Sequence, residues 1–237
     1  MATLGTQELW SAARRRRFAV RMLLGSRPGV YRVVPAWNWL RARDDHVLIT
    51  SRTRLVIDGF PGSGNSFSIA ALEAAAESEG RGLPPIAHHL HCPGQVLGAV
   101  RRGIPVLLLV REPTANAVSA LARWPHLTAP LALASYARYH KRLRGAARGM
   151  QVATFEQLTG DFGAVTRRLN ERFGADLPVF DHAASGAVVY SPDDEARAAR
   201  RALATARRRE VDDPALAGLR AEALEVYEYF ATLAQPG

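Results

Sequence analysis

The sequence predicts an α/β protein of three layers, a central, mainly parallel sheet flanked by helices. Three observations carry that expectation. Leu55 to Asp58 has β-forming character and runs into Gly59-Phe60-Pro61-Gly62-Ser63-Gly64-Asn65-Ser66, after which Phe67, Ile69, Ala70, Ala71 and Leu72 resume with helical spacing. Val106 to Val110 is a continuous apolar run of the kind a strand shows when a parallel sheet buries both its faces. Strand-like and helix-like stretches alternate between these points and beyond, and such alternation builds parallel crossovers, with ligands bound outside the carboxyl ends of the strands.

The elements follow in order. Residues 1 to about 25 read as an amphipathic helix around Arg14-Arg15-Arg16-Arg17, with Leu9, Trp10, Phe18, Val20, Met22, Leu23 and Leu24. Ser26 to Asp45 reads as an irregular cover rich in proline and tryptophan. This divides the chain into an arginine-rich helix and cover over 1–45 and an α/β domain over 46–237. His46–Thr50 and Leu55–Phe60 are two short extended runs around Ser51-Arg52-Thr53-Arg54, readable as a hairpin. The loop helix spans about 66–80 and stops at Gly80-Arg81-Gly82. A short strand follows over Pro84–His91, then a helix over Gln95–Arg102 ended by Gly103. After the buried strand, Arg111-Glu112-Pro113 stands at its carboxyl end and a helix runs from Thr114 to about Arg123. Further helices are expected at Ala129–Gly145, Asp161–Phe173, Pro192–Arg209 and Pro214–Leu233, with a strand at Gln151–Thr154 and loop over Leu177–Tyr190.

Composition narrows the function classes. With 237 residues and 48% hydrophobic residues the chain is long enough, and apolar enough, for one large α/β domain. The net charge of +9 gives a field that attracts anions. All of the cationic residues but Lys141 are arginines, permanently charged forks suited to phosphate or sulfate, and lysine Schiff-base chemistry is nearly excluded. Cys92 stands alone, so neither a disulfide framework nor a cysteine metal cluster is available, which is consistent with a reducing cytoplasm. No apolar stretch reaches the ~20 residues that cross a bilayer. The arginine run followed by Phe18 has the look of a twin-arginine export signal, but Arg21 and Arg27 break the apolar stretch behind it.

A glycine loop between strand and helix turns backbone N–H groups inward, with the positive end of a helix dipole behind them, and so holds phosphate or sulfate without a metal. Gly59, Gly64 and Ser66 fit the spacing G-x-x-x-x-G-[K]-[ST], but Asn65 stands where a nucleotide triphosphatase has lysine. At the end of the buried strand such an enzyme often has a magnesium-binding Asp, and this chain has Arg111. Both departures disfavour a metal-bound triphosphate. Glu112, one residue on, keeps a metal reading open, as does the histidine group His88, His89 and His91.

Three separated segments resemble sulfotransferases that use 3'-phosphoadenosine 5'-phosphosulfate (PAPS), over about residues 55–175. Phe60 to Phe67 resembles the loop that binds the 5'-phosphosulfate. Arg111 to Ser119, an Arg and a Ser eight residues apart around a Pro and a helix start, is similar to the 3'-phosphate motif. Thr154-Phe155-Glu156-Gln157-Leu158 is similar to the family's Tyr-Glu-Asp-Leu strand end. The resemblance implies a P-loop fold and a sulfuryl transfer from PAPS to a hydroxyl of a glycan, lipid or small metabolite, with no metal. It further implies that Gly62, Ser63, Gly64, Asn65 and Ser66 hold the 5'-phosphate, that Phe67 lies near the adenine, and that Arg111 and Ser119 bind the 3'-phosphate. Ala87-His88-His89-Leu90 falls at the family's Lys-Thr-His-Leu segment, which makes His89 the candidate general base, with His88 and His91 as rivals.

Departures from the family pattern are equally readable. Gly62 takes the place of the loop lysine and Ala87 that of a second lysine, so Arg52 or Arg54 is the expected substitute from the neighbouring turn. No Arg-Lys-Gly motif occurs in the C-terminal third, where Arg200, Arg201, Arg207, Arg208 and Arg209 are the available cations. Trp124, His126, Tyr136 and Tyr139 are candidates for an acceptor pocket. Two rival functions remain: a P-loop kinase or ATPase, and a noncatalytic anion-binding module. The expected location is cytoplasmic, with the arginine helix as a peripheral contact to the inner membrane face and no specific nucleic acid as partner.

Overall fold

The computed structural model describes residues 6–27, 30, 47–182 and 194–235. Among these residues it is a three-layer α/β fold around a four-stranded sheet whose strands all run parallel. These are β1 (Leu55–Gly59), β2 (Ile86–His88), β3 (Val106–Val110) and β4 (Gln151–Thr154), in the order β2-β1-β3-β4. Leu55 lies opposite Ile86, Val56 opposite Val106 and Leu107 opposite Gln151. Every residue of β1, β3 and β4 is buried, and in β3 this burial on both faces shows as an unbroken apolar run rather than an alternating one.

Side-chain alternation along the strands divides the core into two layers. Leu55, Ile57, Leu107, Leu109 and Ala153 face one side, where α2 (Asn65–Ser78) and α7 (Phe162–Phe173) cover them through Ala71, Leu72, Ala75, Phe162, Val165 and Leu169. Val56, Val106, Leu108, Val110 and Val152 face the other, larger layer. There α3 (Pro93–Arg101), α4 (Pro113–Arg123) and α5 (Ala129–Leu143) pack with the C-terminal pair α8 (Asp194–Val211) and α9 (Ala217–Leu233). A short helix, α6 (Phe155–Gly160), follows β4 directly. Thr154 and Gln157 form its capping box, side chain to backbone in both directions, as the Thr-x-x-Gln spacing dictates.

The N-terminal helix α1 (Thr6–Leu24) lies against the larger layer. Met22 is buried, and the Phe18 ring meets Phe60 edge-on at 6.5 Å. Past its end, the Gly25 carbonyl accepts from the Gly94 N–H at 2.7 Å, and a side chain at Gly25 would collide with Cys92. Trp10 and Leu23 face outward, 68% and 54% exposed. Among the described residues no helix is long and apolar enough to cross a membrane.

Several expectations are corrected. Residues 47–54 form no hairpin with β1, whose neighbours β2 and β3 are both parallel to it. Thr50 and Thr53 instead close a local turn, the Thr50 N–H donating to Thr53 Oγ1 at 2.9 Å and the Arg52 N–H to Thr50 Oγ1 at 3.1 Å. Arg52 and Arg54 precede β1, and the Arg54 N–H donates to Pro85 O at the amino end of β2. They therefore sit at the end of the sheet opposite the glycine loop and cannot replace its lysine. After α1, helix boundaries move by at most three residues, and most of the cover segment and of the 177–190 loop lies outside the described residues.

Candidate functional site

The glycine loop joins the carboxyl end of β1 to α2. Gly62 and Gly64 have φ of 95° and 108°, a region that favours glycine, and a Cβ at Gly64 would strike Leu158 of α6. Among the described residues, the N–H groups of Gly62, Gly64, Asn65 and Ser66 have no hydrogen-bond partner, and no side chain caps α2. A row of unpaired amides at a helix N-terminus is a seat for an anion.

The loop's side chains divide into two sets. Ser63 is 1% exposed and its hydroxyl accepts from Asn116 Nδ2 at 3.0 Å. Asn65 is 4% exposed, with Nδ2 directed at Asp58 Oδ1, 3.4 Å away, and at His91 Nδ1, 3.3 Å away. These two residues face the protein with their side chains; the Ser63 N–H donates to Phe60 O at 3.1 Å, so of the pair only the Asn65 N–H is left for a ligand. Ser66 is different: its hydroxyl meets His89 Nε2 at 3.0 Å.

The histidine segment reaches the loop by a route that strand alternation does not describe. β2 ends at His88, and His89 and His91 both take left-handed backbone conformations, φ 61° and 54°. The buried Asp58 carboxylate pins this turn. Its Oδ1 accepts from the Gly59 N–H at 2.9 Å and from the His91 N–H at 3.1 Å. His91 Nδ1 lies 2.8 Å from Gly59 O, to which it donates. His88 and His89 then touch through their Nδ1 atoms at 2.6 Å, leaving His89 Nε2 on Ser66. Burial, then the neighbouring His91 and His88, push the His89 pKa down to about 4, against a smaller opposing pull from Asp58. The ring is neutral at pH 7 and able to accept a proton.

On the other flank, β3 delivers Arg111. Its guanidinium donates from Nη1 to Gly62 O at 3.1 Å and lies 3.9 Å above the Phe155 ring. Tyr136 fixes the backbone here by donating to Arg111 O at 2.7 Å, so this tyrosine is a buried support of the site. Burial lowers the Arg111 pKa, while Glu156 and Glu112 oppose that shift. Ser119, on α4, borders the same glycine: its Oγ would lie 3.4 Å from a Cβ on Gly62. Glu112 caps α4, its two oxygens accepting from the Thr114 and Ala115 N–H groups at 2.9 and 2.6 Å. That use of both oxygens removes it as a ready metal ligand.

His89, Ser66, Gly62, Arg111 and Ser119 thus meet at the carboxyl edge of β1 and β3. Phe67 belongs to a separate aromatic group with Phe162, Phe180 and His182, whose ring stacks on it at 27°. An open depression of about 510 Å³ adjoins that group, lined in part by Asp161, Arg167, Phe180 and His182. Ala87 points into the larger core layer. Arg207 and Arg208 pair with Glu210 of α8 and with Asp212 just past its end, at 2.7 and 2.8 Å, which leaves them poor phosphate ligands. Tyr136 and Tyr139 are core residues, 1% exposed each, and line no acceptor pocket. Sequence reasoning missed Asp58 and Asn116. The signal for the first was a carboxylate inside an otherwise apolar buried strand. Comparison with family models, with curated proteins and with solved structures gives no match to this chain.

Proposed function

We propose that this chain is a sulfotransferase that moves a sulfuryl group from PAPS to an acceptor hydroxyl. One observation carries the reading: a single residue, Ser66, meets a neutral imidazole through its hydroxyl and belongs to a cradle of unpaired amides through its N–H. That places a proton acceptor beside an anion seat, the pairing needed by a transfer between oxygens that leaves negative charge behind. Arg111 and Ser119 adjoin the same loop and suit a second phosphate of the donor.

In this mechanism the acceptor oxygen attacks sulfur as its proton passes to His89 Nε2. The bond from sulfur to the bridging oxygen breaks, and its electron pair goes to the 5'-phosphate of adenosine 3',5'-bisphosphate. The loop N–H groups hold that charge. A kinase or ATPase fits less well, because Asn65 is turned inward and the strand end carries Arg111. Calorimetry with adenosine 3',5'-bisphosphate tests donor binding, and transfer of labelled sulfate from PAPS over glycan, lipid and phenolic acceptors tests catalysis. An absence of binding up to millimolar concentration excludes the reading.

A further inference from the structure

The proposed transfer leaves one charge without a cation. As the bond to sulfur breaks, negative charge gathers on the bridging oxygen, and the loop from Gly59 to Ser66 carries no cationic side chain to answer it. The α4 helix supplies what the loop lacks. Asn116, Ser119 and Arg123 stand at i, i+3 and i+7, one stripe along one helix face. Asn116 holds the Ser63 hydroxyl at 3.0 Å, and Ser119 borders Gly62. Arg123 is the next member of that stripe, about 6 Å beyond Ser119 along the axis. Helical side chains lean toward the N-terminus of their helix, so the stem of Arg123 leans back over the Ser119 turn, toward Gly62.

Arg123 is also free to act. It is exposed, has no carboxylate partner among the described residues, and its guanidinium lies 5.8 Å from the Trp124 ring. Its charge reaches His89, where it is a further cause, after burial and the two neighbouring histidines, of the low pKa. Two other cations beside the site, Arg111 and Arg21, are already held by the protein, Arg21 by donating to Leu90 O in the histidine segment. Arg111 is held by Gly62 O and Phe155, Arg14 and Arg15 act on His126, and Arg52 and Arg54 lie at the far end of β1.

We propose that Arg123 is a catalytic residue of this site, supplying from α4 the positive charge that stabilises the leaving phosphate where Gly62 cannot. This rests on the sulfotransferase reading, and the experiment separates the two. Arg123→Ala, Arg123→Lys and, as control, Arg52→Ala are compared with the wild-type chain in three measurements: calorimetry with inorganic sulfate, calorimetry with adenosine 3',5'-bisphosphate, and the kcat of transfer from PAPS. Removal of one transition-state donor costs roughly 100-fold in kcat. Arg123→Ala is expected to lose about that much, and to bind sulfate about tenfold more weakly, with an unchanged melting temperature. Arg123→Lys is expected to recover most of both, and Arg52→Ala to match the wild type. Unchanged sulfate affinity and unchanged kcat in Arg123→Ala overturn the assignment. A wild-type chain that binds sulfate through Arg123 but transfers nothing from PAPS overturns the donor reading and leaves Arg123 as the cation of the cradle.

Discussion

Filling the cradle with an anion is expected to raise the pKa of His89 from about 4 and to draw a proton into the protein. A unit charge about 5 Å away, at an effective dielectric of about 20, is worth about 3 kcal/mol, or about two pKa units. A bound sulfate or phosphate therefore brings the imidazole to about 6 or higher. The sign follows from linkage: the protonated ring is favoured by the anion, so anion affinity rises as pH falls through the liganded pKa and levels off below about 4. At pH 5, calorimetry of adenosine 3',5'-bisphosphate in buffers of different ionisation enthalpy should report uptake of close to one proton. His89→Gln should abolish that uptake. The same shift appears in kinetics, because the base must be neutral to work. The acid limb of kcat/KM, set by the free protein, falls near pH 4, while that of kcat falls about two units higher. A His89 resonance that titrates near 4 with and without the anion refutes the placement of this ring over the cradle. A value near 6.5 in the free protein refutes the packing that makes it a weak base.

Three other perturbations follow from the geometry. Arg111→Ala removes a charge-assisted contact of about 1.5–3 kcal/mol, so affinity for adenosine 3',5'-bisphosphate should fall roughly 10- to 150-fold by calorimetry. Arg111→Lys should recover only part, since an ammonium cannot lie flat on the Phe155 ring as the guanidinium does. His140 is fully buried among Tyr136, Tyr139 and Phe230, and burial pushes its pKa down to about 4, below the unfolded value. Its stability contribution is intact above pH 6.5 and is lost as pH falls toward 4, by about 3 kcal/mol in all. Denaturant melts from pH 7 to 4 should show a flatter profile for His140→Phe. Asp58→Ala strands the Gly59 and His91 N–H groups in the interior, at about 1–3 kcal/mol each. Asp58→Asn, which keeps one acceptor, should cost less in denaturant melts and retain His89 on Ser66.

The layering was legible because burial leaves a mark on composition. A strand covered on both faces has no polar side to display, so Val106–Val110 announces itself, and the glycines around Ser63 announce a turn that a Cβ would block. The same local signals placed Arg111 at a strand end and a helix start at Thr114, one residue after the observed start at Pro113. What stayed hidden depends on contacts between distant segments. Nothing in Pro84–His91 states that the strand stops at His88 and that two histidines turn left-handed, since Asp58, some thirty residues earlier, fixes that turn. Nor does the loop state that Ser63 and Asn65 face inward; Asn116 and Asp58 decide it. The place of Arg52 and Arg54 was misjudged for a different reason: both precede β1, so chain direction alone puts them at its amino end, away from the carboxyl ends where ligands bind.

Asp58 explains why an anion seat tolerates a carboxylate beneath it. Buried and within reach of the cradle, a bare charge there would repel the ligand and suffer from desolvation. Its Oδ1 is instead the meeting point of two backbone N–H groups and the Asn65 carboxamide, with His91 Nδ1 3.4 Å away. Those donors spread the charge away from the loop's outer face, and the same contacts tie the histidine turn to the end of β1. Position of the base and shape of the anion seat are therefore not independent properties. A change that loosens Asp58 moves both Asn65, which starts α2, and His91, which carries His89. In the proposed transfer, one buried carboxylate would thus set the distance between the imidazole that takes the acceptor proton and the amides that hold the donor phosphate.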